Sequence, residues 1–185
     1  MTPTTETRLP IWQLRRTDLY WLLAYPLYQI LGTIRHEGSH ALVAKIEGAT
    51  IDKFVFIPST DLGRFTWGYT QWTGKTDWVV TFAPYFCDLL WFAGFFLICT
   101  RLRLVYHALW LNLVIIGLVS PLANSLVQYI VGFFSPQSDV AKLYDALPDG
   151  LVHLYFLVTL AAYGVGLWTV FRRSPRALLP DPPVE

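Results

Sequence analysis

Arg35-His36-Glu37-Gly38-Ser39-His40-Ala41 places an H-E-x-x-H sequence inside an otherwise apolar segment. Residues four apart on a helix share a face, so His36 and His40 can turn two imidazoles toward one metal ion. Glu37 is beside His36 and can reach a water on that metal as a general base. Three ionisable groups so close together are costly in hydrocarbon, and such groups mark functional sites. Any fold for this chain has to pay that cost by giving them a purpose.

Composition makes hydrocarbon the expected surroundings. Of 185 residues, 54% are hydrophobic, 16% are aromatic and only 15% are charged, against a usual charged share of roughly 25%. The expected fold is an all-α polytopic membrane protein with about four transmembrane helices and a β-hairpin inserted after the first. A net charge of +1 gives no electrostatic case for nucleic acid. Cys87 and Cys99 lie in apolar runs without C-x-x-C spacing and read as small buried hydrophobes. No signal-peptide pattern stands at the N-terminus, so the first membrane helix is expected to serve as its own targeting signal.

In chain order, residues 1–17 read as a polar tail and 18–171 as one membrane-embedded domain. Residues 172–185 read as a tail that is basic, then Pro-rich. The first span is expected at about 18–45, kinked at Pro26. At 1.5 Å per residue His36 lies roughly 25 Å along it, near the far side of a roughly 30 Å core. Residues 51–72 alternate β-branched and aromatic residues around Pro58-Ser59-Thr60-Asp61-Leu62-Gly63, which predicts a hairpin in the interface. Its free edge could pair with an extended peptide. Further spans are expected at about 78–99, interrupted by Pro84, at about 104–134, tilted or broken at Ser120-Pro121, and at about 151–171. Between the last two, Ser135-Pro136-Gln137-Ser138-Asp139 predicts a turn and a helix start, with Ser or Asp as cap and Pro in the first turn.

Arginine placement predicts orientation. Arg8, Arg15, Arg16, Arg101, Arg103, Arg172, Arg173 and Arg176 share one side of a four-span arrangement. The positive-inside rule then puts both termini in the cytoplasm, in the cell membrane, and the H-E-x-x-H end of the first helix near the outer face.

A catalytic zinc site needs three protein ligands and an open position. His36 and His40 give two. Of the remaining candidates, depth removes His107 and leaves Asp139, Asp88 and His153. Asp88 has a second reading, as the partner of Arg35.

H-E-x-x-H-A in a first core helix, then a β-rich hairpin, a Pro-containing span and a later aspartate resemble the site-2 protease family of intramembrane zinc metalloproteases. The resemblance covers roughly residues 20–145 and implies a compact member without PDZ or CBS domains. In that family a G-P-x-x-N element and an N-x-x-P-x-x-L-D-G element follow the zinc-binding helix, and the latter's aspartate is the third ligand. Here Pro136-Gln137-Ser138-Asp139 keeps the proline three residues before an aspartate, with Val140 in place of the glycine and no upstream asparagine. Ser120-Pro121-Leu122-Ala123-Asn124 resembles the first element with Ser for Gly, and Ala83-Pro84 is a poorer match. The resemblance thus implies zinc held by His36, His40 and Asp139, Glu37 as base, and Asn124 as a donor to the developing oxyanion. It implies cleavage of a peptide bond in or near a membrane segment of another protein, in contact with the lipid bilayer. Family members usually turn the catalytic end toward the cytoplasm, opposite to the arginine count. A zinc-binding scaffold of the same fold without proteolytic activity is the alternative. A metal transporter would want ligands along several spans, whereas the polar groups here cluster at one depth.

Overall fold

The computed structural model describes residues 16, 18, 23–61, 63, 65–102 and 106–173. Most of the two expected tails and the entry to the first expected span lie outside the described residues.

Helix α1 (Tyr25–Ile46) has Pro26 in its first turn. Pro26 was expected as a mid-helix kink, but a first-turn N–H has no helical partner, so proline there removes nothing and pre-sets the backbone. At the other end Gly48, with φ of 89°, turns the chain out of the helix, and the Ala49 N–H closes onto the Ala44 carbonyl at 2.9 Å. A left-handed backbone of this kind favours glycine. The buried residues of α1 are Thr33, His36, Ser39, His40 and Ala44, so its interior face is polar where a core helix would be apolar.

The expected hairpin is present. Strands β1 (Thr50–Val55) and β2 (Tyr69–Thr73) pair antiparallel, with Ile51 opposite Trp72 and Phe54 opposite Thr70. The register shifts between Ile51 and Lys53, as an extra residue in one strand requires. A bridge between Ser59 and Thr66 extends the ribbon beyond the named strands. Ala44, Ala49 and Val80, with Ile51 and Trp72 against them, seat the hairpin on α1 and the start of the next helix.

Helix α2 (Trp78–Arg101) starts on Asp77, whose side chain accepts from the Trp78 N–H at 2.7 Å. It stays helical through Pro84, where an interruption was expected. Next come α3 (His107–Val114), a π-helical turn (Ile115–Val119) and α4 (Ser120–Gly132), which together form one run. A wider turn just before Ser120-Pro121 takes up the irregularity. The expected break is therefore a local change of winding. Helices α5 (Asp139–Ala146) and α6 (Asp149–Arg173) are the last elements among the described residues.

Among the described residues three helices are long and apolar enough to cross a membrane: α2, the His107–Gly132 run, and α6. Helix α1, carrying Arg35, His36, Glu37, His40 and Lys45, is not one of them. Leu90 and Leu97 of α2 and Leu154, Leu157, Val158, Val165 and Trp168 of α6 are exposed. A soluble protein rarely shows so large an apolar surface, whereas lipid welcomes it. Inside, Phe92, Trp110, Leu118, Tyr163 and Val170 pack α2, α3, the π turn and α6 together. A second cluster of Tyr85, Val140, Leu143, Val152 and Phe156 holds α5 against α2 and α6. That second cluster fixes Asp139, the neighbour of Val140.

Candidate metal centre

On α1 the two histidines stand one turn apart, their ring centroids 5.0 Å from each other and their planes at 80°. The third group arrives from α5. Ser138 caps that helix, its Oγ accepting from the Ala141 N–H at 3.2 Å. Asp139 is thereby the first helical residue. Pro136 precedes the cap, so the expectation of proline in the first turn is corrected. The cap serves better there, because it satisfies an otherwise orphaned N–H.

Asp139 Oδ2 lies 3.3 Å from His36 Nε2 and 3.1 Å from His40 Nε2. One ligand atom from each of the three residues falls within 4.8 Å of the other two. The second carboxylate oxygen, Oδ1, accepts from Lys142 Nζ at 3.0 Å. Burial alone would raise the Asp139 carboxyl, but hydrogen bonds with His36 and His40 and their charge outweigh it and hold it well below the usual range. Among the described residues no other group of three histidine, cysteine or carboxylate side chains converges in this way.

The residues behind the donors set their aim. The His40 Nδ1 lies 2.8 Å from the Val80 carbonyl oxygen. A carbonyl only accepts, so Nδ1 carries a proton, and Nε2, which faces Asp139, is the nitrogen that would ligate an ion. The His40 ring also stacks on Trp72 at 6.2 Å and 29°. His36 meets Tyr85 edge to face at 6.1 Å, and its Nδ1 lies 3.5 Å from Asn124 Nδ2. Two imidazole nitrogens and a carboxylate oxygen, with the outer nitrogen of His40 and the outer oxygen of Asp139 held, form a donor set that suits zinc with an open fourth position.

Glu37 is held by the hairpin. Thr70 Oγ1 on β2 lies 3.0 Å from both the Glu37 backbone carbonyl and its Oε2. This close seating requires Gly68: a Cβ there would meet the Thr33 side chain and come within 2.5 Å of the Val55 carbonyl oxygen. The hairpin thus reaches the glutamate directly.

Other sequence candidates are placed elsewhere. Asp88, fully buried, accepts from Arg35 Nε at 2.6 Å and from Asn124 Nδ2 at 2.7 Å. Its pairing with Arg35 is the second reading offered above. His153 Nδ1 faces the Tyr129 hydroxyl at 2.9 Å and the Tyr144 hydroxyl at 3.4 Å, with its ring stacked on Phe133. His107 contacts Asp18 at 2.9 Å. Thr70, Val80, Tyr85 and Trp72 are the participants that sequence reasoning missed. None belongs to a motif, and Val80 contributes only its backbone.

Comparison with known proteins agrees in kind. No curated protein and no solved structure matches the chain. A family model described as Peptidase M50B-like matches residues 12–172, which takes in α1 with its two histidines, the hairpin, the spanning helices and Asp139. With membrane-crossing helices around a convergent His36–His40–Asp139 set, that match makes this integral membrane protein a member of the Peptidase M50B-like family, the site-2 proteases.

Proposed function

We propose that the protein is an intramembrane zinc metalloprotease that hydrolyses a peptide bond in or near a transmembrane segment of a protein substrate. The observation that carries this reading is the convergence of His36, His40 and Asp139 beside Glu37 in a membrane-embedded chain. His36 and His40 through Nε2, and Asp139 through a carboxylate oxygen, would hold the ion. The chemistry that zinc supplies when bound is Lewis acidity, which polarises a carbonyl and brings the pKa of a water down toward about 7.

The remaining work falls to side chains of this chain. Glu37 takes the proton from the attacking water and returns it to the leaving amine. Thr70 holds that carboxylate by its Oε2, so the base is oriented before substrate enters. Asn124 has two amide hydrogens, and Asp88 engages the amide nitrogen from one side. The second amide hydrogen, on a nitrogen that also lies 3.5 Å from His36 Nδ1, would turn to the oxyanion that develops on the scissile carbonyl. A helical substrate has no free carbonyl, so it must unwind, and the free strand edge of the hairpin can hold it extended.

The same reading makes 18–171 one membrane-embedded domain flanked by short tails. In it α1 is the fourth span, its ionisable residues turned inward to the metal. The arginine distribution supports cytoplasmic termini and a site toward the opposite face. A cleavage assay on a membrane-protein substrate in vesicles tests the reading. Wild type is expected to cut and Glu37→Gln to lose roughly 10²–10⁴-fold in rate while keeping its zinc. Equal rates would refute the role of Glu37. Bound zinc with no cleavage in either protein would favour a metal-binding scaffold.

A further inference from the structure

Pro84 stands inside α2, and the helix continues on both sides of it. Proline has no N–H to give to the carbonyl four residues back, and its ring pushes that carbonyl away from the axis. The carbonyl concerned is that of Val80. It is the oxygen that His40 Nδ1 approaches at 2.8 Å. Val80 is 1% exposed and His40 4%, so water does not compete for either atom. An interior carbonyl that α2 leaves without its helical N–H is thus the one that a metal-site histidine meets.

We propose that Pro84 is a positioning residue for the metal centre: by withholding a backbone N–H it frees the Val80 carbonyl to hold the Nδ1–H of His40 and present Nε2 to the ion. The inference rests on the zinc site proposed above. Histidine has two nitrogens that can bind metal, and the acceptor behind the ring chooses between them. A carbonyl does have two lone pairs. In a regular helix, however, the N–H four residues on holds it along the axis, and the tilt toward α1 is lost. Ala83-Pro84 therefore has a reason to exist that its poor fit to the family's G-P-x-x-N pattern does not supply.

The test is zinc affinity, measured by competition with a chelator of known strength on purified wild type and Pro84→Ala. Restoring the N–H is expected to weaken binding by about 10- to 100-fold, the usual effect of removing an outer partner of a ligand histidine. Thermal unfolding of the metal-free proteins is expected to show no loss of stability, since the helix regains a bond. Weaker zinc with an undiminished fold is a combination that a merely structural proline would not produce. An unchanged zinc Kd would overturn the proposal. Pro84→Val restores the same N–H with a side chain closer in volume and serves if the alanine variant does not fold. Nitrogen-15 spectra of histidine in the wild type read the same point without mutation: a proton on His40 Nδ1 is expected with zinc bound, and a proton on Nε2 would contradict it. Absence of zinc from the wild type would remove the metal site itself, a failure distinct from an unaltered Kd in the variants.

Discussion

Asp88 accepts from Arg35 Nε at 2.6 Å in the interior, with the carboxylate fully buried and the guanidinium side chain 7% exposed. Asn124 engages the second oxygen at 2.7 Å, and the Arg35 guanidinium carbon lies 5.5 Å from the centre of the Trp91 ring. Both oxygens of Asp88 are committed. It therefore acts as an anchor joining α1, α2 and α4 beside the metal site. The consequences can be measured.

Replacing Asp88 alone strands a buried guanidinium. Asp88→Ala is expected to cost about 3–5 kcal/mol of stability, while the pair Arg35→Met with Asp88→Leu removes both charges at similar volume and recovers most of it. Denaturant unfolding in detergent reads both. Equal losses in the single and paired variants would show that the charge pairing is not what holds these helices.

Thr70 should matter to rate and not to zinc. Thr70→Val removes one hydrogen bond to the Glu37 carboxylate. That is worth about 0.5–1.5 kcal/mol, so cleavage is expected to slow by about 3- to 10-fold with zinc content unchanged. Zinc analysis beside the cleavage rate separates the two effects, and loss of zinc would mean that the hairpin supports the ligands rather than the base.

Ser138 caps the helix whose first residue is Asp139. Ser138→Ala is expected to cost about 1 kcal/mol and to weaken zinc binding several-fold, because the frayed turn carries a ligand. Chelator competition measures the affinity. A destabilised protein with wild-type affinity would mean that Asp139 is positioned by the Val140 packing alone.

His153 is expected to be dispensable for metal. Its ring lies among Tyr129, Phe133 and Tyr144, so His153→Phe should keep full zinc content. Any loss of zinc would return it to the ligand set.

Part of this site is legible in the sequence because its information is local. His36, Glu37 and His40 share one helix turn. The hairpin shows in the alternation of residues 51–72, and Asp139 follows a turn signal that any helix start displays. The rest depends on contacts between distant elements. Thr70 meets Glu37 across 33 positions and Val80 meets His40 across 40, and no side-chain pattern announces a backbone acceptor. The reading of Pro26 failed for a local reason. The apolar residues before it continue the helical pattern upstream, so nothing in composition tells a first-turn proline from an interior one. Pro84 was expected to interrupt its span and Ser120-Pro121 to tilt or break its helix. Instead α2 stays continuous through Pro84, with His40 Nδ1 against the Val80 carbonyl, and a π turn precedes Ser120.

The most direct measurement is the zinc content of the purified protein, in wild type and in two variants. One zinc per chain is predicted for wild type and for the Arg35→Met, Asp88→Leu pair, with loss in Asp139→Ala. A wild type without zinc, or an Asp139→Ala protein that keeps its zinc while the Asp88 variant loses it, would contradict the account.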